Sequence, residues 1–354
     1  MPTGRQDRDA DRTTGTTGPA SGGMATPGNR AAGGRLGIDT TSLATLARVT
    51  DILARLLYAL AAAIGRLPWP ALQRMGDALA WAWLRTGARE SVVALRNLEL
   101  AYPEMLPAER EDWRHRILRS TGLQTVQTLR LWTRPHAESL GLIREVHGEA
   151  LFDEALASGR GLIVAAPHFG NWELLNQWLA AKTPLAILYK PPESAIGEAF
   201  LRRVRANADA GRITQVRAEG AGVRQLYKRL QAGGVVGILP DQQPKGGDGE
   251  FAPFFGVQAS TMTLLGRLAA RSGATVLFAW CERIGAGPAH ALRISAASPG
   301  IDSDDAQVAT AALNADVERI ARRDPAQYQW TYKRFKAQPP GSPAPNPYAD
   351  LERG

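Results

Sequence analysis

A histidine and a carboxylate stand five residues apart in the stretch Gly161–Leu175, GLIVAAPHFGNWELL. The apolar run before Pro167 is typical of a buried strand, and His168 and Glu173 follow it closely. At a strand-to-helix junction, such a pair can act as a general base and the carboxylate that orients it. This chemistry removes a proton from a hydroxyl group or from water. A surface hydrogen bond or a structural pair is the alternative interpretation of the same two residues.

The spacing of the two side chains sets a condition on where the helix begins. If His168 and Glu173 lay in one helix, five steps of about 100° would leave them about 140° apart. We therefore expect the helix to begin after the histidine, near Gly170 or Asn171. Asn171 is a suitable N-cap, and Glu173 would lie in the first turn, where the helix dipole favours a carboxylate. The pair would then lie at the carboxyl end of a strand, where ligands bind in open α/β sheets.

The elements that must position this pair follow a clear alternation. After Arg144, short β-rich runs alternate with helical segments, which predicts an α/β sheet flanked by helices. Before them, residues 90–132 predict two or three helices, interrupted by prolines. The Pro-rich tail 339–354 is expected to be ordered only where it lies on the rest of the protein. The predicted strands are GLIVAAP, LAILYK, ITQVRA, GVVGILP and ATVLFAW.

The first 86 residues differ from the rest in composition. Residues 1–37 are rich in Gly, Thr, Arg, Asp and Pro, so we expect a disordered tail, and they lack the apolar core of a secretory signal. Residues 42–86 predict a membrane-associating helical segment, because leucines recur at helical spacing and tryptophans and arginines suit a water–lipid interface. The apolar run 56–64 is too short to span a bilayer, and Asp51 and Arg55 interrupt the pattern before it. A pair of ordinary core helices is the alternative.

Overall composition limits the classes of partner and chemistry. The 354 residues carry a formal net charge of +8 and are 44% hydrophobic, which suits a folded protein with a polyanionic neighbour. Nucleic acid, anionic lipid headgroups and an acidic carrier protein all fit that charge. The only cysteine, Cys281, excludes an intramolecular disulfide, and the five histidines show no metal-binding spacing. We expect no metal site and no cofactor.

The segment around His168 belongs to an ordered series of motifs. From about residue 53 to residue 336, their order and spacing resemble the lysophospholipid acyltransferase superfamily, specifically its lipid A late-acyltransferase family, which adds lauroyl or myristoyl groups. The resemblance implies a glycerolipid acyltransferase-like fold with a mixed, mostly parallel sheet and a catalytic domain at 87–338. The motifs are RNLELAYP at 96–103, HFGNWEL at 168–174, YKPPES at 189–194, RRVRAN at 202–207, LPDQQP at 239–244, FFGVQASTMTLLGRLAARSGA at 254–274 and WTYKRFK at 330–336.

The resemblance also implies a reaction. An enzyme of this family moves a fatty acyl group from acyl carrier protein to a hydroxyl of a lipid A precursor. His168 is the implied general base, and Glu173 is the partner that holds its tautomer and stabilises the imidazolium. The acceptor attacks the acyl donor directly, without an acyl-enzyme, and the absence of a GxSxG motif fits this.

Substrate binding is implied at further positions. Arg203 and Arg205 match the family's arginine block and would bind the oxyanion or the acceptor's phosphates, with a solvated helix face as the alternative. Asp241, which follows the apolar run VVGILP, would orient an arginine or a sugar hydroxyl, with a turn aspartate as the alternative. Lys190 is a candidate for contact with the lipid headgroup.

Two aromatic and two basic residues complete the candidates. Phe254 and Phe255 would shape an acyl-chain pocket, and core packing is an equally good interpretation of the two rings. Arg334 and Lys336 would contact phosphate or form a solvated basic face.

The implied location is the cytoplasmic face of the inner membrane, where an anionic bilayer and a phosphorylated acceptor both attract positive charge. Three alternatives stay open. The acceptor could be a lysophospholipid, an ornithine lipid or another glycolipid. The protein could bind membrane or nucleic acid without catalysis, although no nucleic-acid-binding module or dense basic stripe is present. It could also be a hydrolase whose histidine activates water.

Overall fold

The computed structural model describes residues 40–189, 191–192, 194–206, 212–217, 219–244, 249–343 and 345–352. The predicted disordered tail, residues 1–37, and the candidate Lys190 lie outside these ranges. The chain divides after Ala44, and every contact described below lies within Thr45–Gly354.

Helices and strands alternate over most of the described chain. The α-helices are α1 (Thr40–Gly65), α2 (Trp69–Thr86), α3 (Arg89–Ala101), α4 (Pro107–Thr133), α5 (His136–Leu140), α6 (Glu149–Ala157), α7 (Trp172–Lys182), α8 (Ala195–Ala206), α9 (Gly220–Gln231), α10 (Leu264–Ser272) and α11 (Ala306–Ala321). The strands are β1 (Ile143–His147), β2 (Leu162–Ala165), β3 (Leu185–Tyr189), β4 (Ile213–Arg217), β5 (Val235–Ile238), β6 (Gly249–Phe254), β7 (Val257–Met262), β8 (Thr275–Arg283) and β9 (His290–Ala296).

A seven-stranded sheet has the order β1-β9-β8-β2-β5-β3-β4, with all neighbours parallel except the antiparallel pair β8 and β9. The prediction of a mixed, mostly parallel sheet flanked by helices is therefore confirmed. The five strands predicted from sequence are β2, β3, β4, β5 and β8. The sequence prediction did not include β1, which is mostly exposed, β9, or the separate antiparallel hairpin of β6 and β7.

The central strand β2 is buried on both faces. Ile163 belongs to the hydrophobic core that also contains residues of α9 and α10, whereas Leu162 and Val164 belong to the core with α6 and α7. All three side chains have 0% exposure. Burial on both faces explains why this strand is a continuous apolar run rather than an alternating one.

The second N-terminal helix, α2, is held on the domain by close packing and by hydrogen bonds. α2 packs closely on α4 through two glycines. A Cβ added at Gly122 of α4 would lie only 2.5 Å from the carbonyl oxygen of Gly76 of α2. Trp69 and Gln73 of α2 also donate hydrogen bonds to the carbonyl oxygen of Ala286, at 3.0 and 2.8 Å. Residues 42–86 are thus helical as predicted, and their association with a membrane stays a prediction. Among the helices described, none is long and apolar enough to cross a bilayer.

The C-terminal tail is anchored on α3. Tyr348 has 0% exposure, and its hydroxyl donates to the side-chain oxygen of Asn97 and accepts a hydrogen bond from the backbone of Phe335. Asp350 forms an ion pair with Arg96 at 2.8 Å. These contacts attach the end of the tail to α3.

Candidate active site

The loop between β2 and α7 carries His168 and is fixed by hydrogen bonds to two other segments. The backbone N–H of Gly170 donates to the carbonyl oxygen of Gln327 at 3.0 Å, and that of Asn171 donates to Cys281 at 2.8 Å. The loop therefore has little freedom to move away from the end of β8.

Gly170 is required in this loop for two separate reasons. Its φ is 59°, in the left-handed region that disfavours other residues, and an added Cβ would lie 2.0 Å from the carbonyl oxygen of Cys281. The glycine of the HFGN motif thus allows the loop to contact β8.

The start of α7 agrees with the condition derived from the sequence. Asn171 is the N-cap, and its side-chain oxygen accepts a hydrogen bond from the backbone of Leu174 at 3.0 Å. The helix begins at Trp172, so Glu173 lies in the first turn and His168 lies outside the helix.

His168 is bound to a buried carboxylate in the segment that follows the neighbouring strand β5. Its Nδ1 lies 2.7 Å from Oδ1 of Asp241, and its backbone N–H donates to Oδ2 at 3.0 Å. The side chains are 13% and 2% exposed. Because an ionised carboxylate only accepts hydrogen bonds, Nδ1 carries the proton, and Nε2 of the neutral ring carries the lone pair.

The surroundings of Asp241 keep it ionised. Burial acts to raise the pKa of Asp241, but the charge of His168 and the hydrogen bonds from its ring and backbone lower it more, and Arg334 adds to this effect. The pKa therefore lies below its ordinary value. Burial, together with the nearby Asp241, raises the pKa of Tyr328 well above its usual range, so the phenol keeps its proton and also bonds to Asp241.

The other ring nitrogen of His168 contacts Gln242, and a tryptophan stands beside the ring. Nε2 of Gln242 lies 3.2 Å from Nε2 of His168 and donates its second hydrogen to Oε1 of Gln329 at 3.0 Å. The ring of Trp172 stands edge-on to the histidine, with 5.2 Å between ring centroids. The sequence interpretation did not identify Gln242, Gln329 or Tyr328 as site residues. Gln242 lies within the LPDQQP motif, and Tyr328 and Gln329 directly precede the WTYKRFK motif, but nothing else in the sequence marked them.

The position of Asp241 corrects two assignments. The sequence interpretation gave Asp241 an arginine or a sugar hydroxyl to orient, and it gave Glu173 the place beside the histidine that holds its tautomer. In the structure Asp241 holds Nδ1 of His168. The reason is topological, since β5 pairs with β2 and the residues that follow these two strands meet at one edge of the sheet.

A cavity of about 320 Å³ is lined by Trp172, whose ring contacts that of His168. Glu173 and Trp172 line it from the start of α7, and polar side chains of α4 form another wall. The remaining lining residues are Ser120, Thr121, Gln124, Thr125, Thr128, Leu129, Trp132, Ala326, Gln327, Tyr328 and Gln329.

Arg203, which the sequence interpretation assigned to phosphate binding, forms an ion pair with the first helix. Nη2 of Arg203 forms an ion pair with Asp51 of α1 at 2.9 Å, and Asp51 also pairs with Arg55 at 2.9 Å. The hydrogen bond from Arg203 is the main cause that lowers the pKa of Asp51. The charges that interrupt the apolar pattern of α1 therefore connect it to α8. The side chain of Arg205 lies outside the described part of the structure.

The remaining candidates divide between core and surface. Phe254 and Phe255 are 0% and 5% exposed and pack in the core that contains Trp330, so the core-packing interpretation is confirmed. Arg334, at 2% exposure, is buried and donates to the carbonyl oxygen of Ser260 at 2.6 Å, so the prediction of a solvated face was wrong for it. Arg334 is buried because it packs over the ring of Phe254 and lies near the buried Asp241. Lys336 is exposed.

Two other kinds of chemistry find no support in the described ranges. No three His, Cys, Asp or Glu side chains in these ranges are grouped so as to bind a metal ion. Cys281 is fully buried, and burial raises the pKa of its thiol, which makes it a poor nucleophile.

Comparison with known proteins identifies the family of the chain. The bacterial lipid A biosynthesis acyltransferase family matches residues 41–337. The chain is similar to the lipid A biosynthesis lauroyltransferase of Escherichia coli K12, with 28% identity over 79% of this chain and 90% of the relative. It is also similar to the palmitoleoyltransferase of that strain, with 29% identity over 78% of this chain and 88% of the relative. A lipid A biosynthesis acyltransferase of Haemophilus influenzae is 27% identical over 77% and 86%. The chain therefore belongs to the bacterial lipid A biosynthesis acyltransferase family and is an acyltransferase.

Proposed function

We propose that this acyltransferase moves a fatty acyl group from an acyl carrier protein thioester to a hydroxyl of a lipid A precursor, with His168 as general base. One observation carries the proposal. Nδ1 of His168 is held by the buried carboxylate of Asp241, at 2.7 Å, while its ring contacts Trp172 on the wall of a cavity.

The proposed reaction needs no protein nucleophile. The acceptor hydroxyl takes the place of Gln242 at Nε2 of His168 and loses its proton to that nitrogen as its oxygen attacks the thioester carbonyl. A carbon–oxygen bond forms. The tetrahedral intermediate then expels the carrier thiolate by breaking the carbon–sulfur bond, and the imidazolium returns the proton to sulfur. Asp241 stabilises the imidazolium between these two steps.

Glu173 stays in the proposal as a second carboxylate of the site. It lines the cavity from the first turn of α7, where the helix dipole favours a negative charge. A carboxylate in that position can accept a hydrogen bond from an acceptor hydroxyl and help to orient it.

Phosphate binding by Arg203, Arg205 and Lys190 also stays a proposal. Nε of Arg203 is buried and has no hydrogen-bond partner among the described atoms, although its Nη2 is bound to Asp51. A guanidinium that still has an unused N–H can donate it to a phosphate oxygen while it remains paired with its carboxylate. Replacing Arg203 with alanine should raise KM for the acceptor while leaving KM for the acyl donor unchanged.

The acidic carrier protein is proposed to bind between α9 and α10. Arg224, Arg267 and Arg271 line a groove of about 480 Å³ there, together with Tyr227 and Leu268. None of these arginines forms an ion pair with a carboxylate in the described ranges, so their charge is available to an acidic partner. Replacing Arg224 and Arg267 with glutamate should raise KM for the carrier thioester but not for a pantetheine thioester. Equal effects on both donors would contradict this placement.

Membrane association is proposed through α1. Several of its exposed residues are large and apolar: Leu56 and Leu60 of α1 are 61% and 58% exposed, and Trp81 of α2 is 64% exposed. Such a face fits the interface of the cytoplasmic leaflet of the inner membrane, where anionic lipids attract the basic protein. Replacing Leu56 and Leu60 with glutamate should reduce flotation with vesicles of anionic phospholipid. Replacing the similarly exposed Leu106 with glutamate is the control.

The central test is mass spectrometry of the acceptor lipid after incubation with acyl carrier protein thioester. The acceptor should gain the mass of one acyl group, and His168→Ala should reduce this product to less than about 1%. Release of free fatty acid without any gain in acceptor mass would favour the hydrolase. Near-normal transfer by a folded His168→Ala protein would overturn the assignment of the base.

A further inference from the structure

We propose that the cavity beside His168 binds a sugar ring of the acceptor, and that Gln124 and Ser120 of α4 recognise its oxygen atoms. The inference rests on the proposed function and assigns one part of the acceptor to one part of the site. It concerns α4, which none of the seven ordered motifs includes.

One face of α4 is polar where it lines the cavity. Five side chains with hydroxyl or amide groups recur at helical spacing and all line the cavity. Ser120 is buried, Thr121, Gln124 and Thr128 are half-buried, and Thr125 is exposed, so this face borders the cavity and not the apolar core. Glu173 and the aromatic residues Trp172 and Tyr328 also line the cavity. The five residues of α4 are Ser120, Thr121, Gln124, Thr125 and Thr128.

Two donors of this face are available to a ligand. Nε2 of Gln124 is buried and has no hydrogen-bond partner among the described atoms. A buried donor without a partner is costly, and a ligand oxygen would remove that cost. Oγ of Ser120 accepts a hydrogen bond from Arg283 at 3.0 Å, which leaves its own proton for a ligand. The cationic partner polarises the hydroxyl and strengthens it as a donor.

The lining fits a sugar better than an acyl chain. An alkyl chain would leave the Gln124 donor unpaired, whereas ring and hydroxyl oxygens accept from Gln124 and Ser120 and sugar hydroxyls donate to Glu173. The C–H faces of a sugar pack on aromatic rings such as that of Trp172. The volume of about 320 Å³ lies at the small end of ligand pockets, so it suits one ring rather than a whole acylated lipid.

The position of the cavity fits the reaction as well. Trp172 and Gln329 line it and also belong to the contacts around His168, through the ring contact at 5.2 Å and the hydrogen bond to Gln242 at 3.0 Å. A sugar held there would bring the acceptor close to Gln242 and to the ring of His168.

The test compares two glutamines of the same helix. Gln124→Leu removes the donor on the cavity wall, and Gln127→Leu is the matched control, because Nε2 of Gln127 is also buried without a partner but Gln127 is not among the lining residues. Both variants are assayed with a lipid A precursor and acyl carrier protein thioester, and thermal unfolding shows whether they are folded. Gln124→Leu should raise KM for the acceptor roughly three- to ten-fold, with KM for the thioester unchanged. Gln127→Leu should change neither value.

Three results would overturn the inference. Unchanged KM for the acceptor in a folded Gln124→Leu protein would exclude recognition at this residue. A rise in KM for the thioester instead would show that the cavity holds the pantetheine arm of the donor. An equal effect of Gln127→Leu would indicate a general change of α4. Because the wild-type enzyme must first transfer an acyl group in this assay, failure of the proposed function would be seen separately.

Discussion

Two histidines of this protein lie in regions that protect them from solvent but differ in their partners. At the end of β2, Nδ1 of His168 donates to the ionised carboxylate of Asp241. At the start of β9, His290 is 1% exposed, and its Nδ1 is bonded to the carbonyl oxygen of Pro288 at 2.9 Å. Burial lowers the pKa of His290 to about 4, and the charge of Arg283 contributes in the same direction.

The difference shows what burial does to a histidine with and without a carboxylate. Around His290 the protein offers no described anionic partner, and the ring stays neutral at physiological pH. Around His168 the protein supplies a carboxylate that can stabilise a positive ring, and it leaves the other nitrogen in contact with the side chain of Gln242. A proton acceptor for catalysis therefore requires the carboxylate as well as the packed site.

The largest expected effect comes from making the surroundings of His168 resemble those of His290. Asp241→Asn removes the charge that stabilises the imidazolium and the acceptor that fixes the tautomer, so kcat should fall by about 10²- to 10⁴-fold. Steady-state transfer to the acceptor lipid measures this, with circular dichroism to show that the variant is folded. Near-wild-type kcat would show that Asp241 is a structural partner only.

The loop that brings His168 to this carboxylate can be disturbed without changing either residue. Gly170→Ala combines a strained φ of 59° with overlap on the carbonyl oxygen of Cys281, and should lower the free energy of unfolding by on the order of 4 kcal/mol. Gly87→Ala is the control, because Gly87 has a φ of 60° but nothing within 4 Å of an added Cβ. It should cost only about 1 kcal/mol. Equal losses in urea unfolding would contradict the close contact.

The inert histidine has a pH signature of its own. The pKa of His290 is about 4 in the folded state, below the unfolded value of about 6.5, so the unfolded state binds more protons between these pH values. Its contribution to stability is complete above pH about 6.5 and is lost as the pH falls toward 4, by on the order of 3 kcal/mol. His290→Gln should reduce this pH dependence in urea titrations. An unchanged slope would show that other groups cause it.

The smallest effect separates the two carboxylates of the site. Glu173→Gln removes a charge from the cavity wall but leaves His168 bound to Asp241, so kcat should fall by about 10- to 100-fold, less than in Asp241→Asn. The same transfer assay measures both variants. If Glu173→Gln were the more damaging change, Glu173 rather than Asp241 would be the main partner of the base.

Local patterns predicted much of the fold. The apolar run before Pro167 predicted a strand, and the five-residue spacing of His168 and Glu173 predicted that the helix begins after the histidine. Both features depend on neighbours in sequence, because a strand needs a run of apolar residues and an N-cap acts on the next few backbone N–H groups. Strands β1 and β9 were missed, and β1 is mostly exposed, so its sequence shows no strong pattern.

Local sequence patterns could not predict contacts between residues that are far apart in the chain. The ion pair of Arg203 with Asp51 joins residues 152 positions apart, and it turns an apparent interruption of α1 into an attachment to α8. Arg334, which the sequence interpretation assigned to phosphate or solvent, is buried because the segment that follows α11 packs against β7. Charge and composition do not show which distant element will cover a residue.

By itself, the sequence determined the class of the fold, the family, the histidine that can act as a base, and the place where the following helix begins. These depend on residue types and on short spacings. Only the tertiary structure decided which carboxylate holds that histidine and which surface faces it. The reason is that β2 and β5 are neighbours in the sheet although more than seventy residues separate His168 from Asp241, and strand order is set by packing across the whole domain.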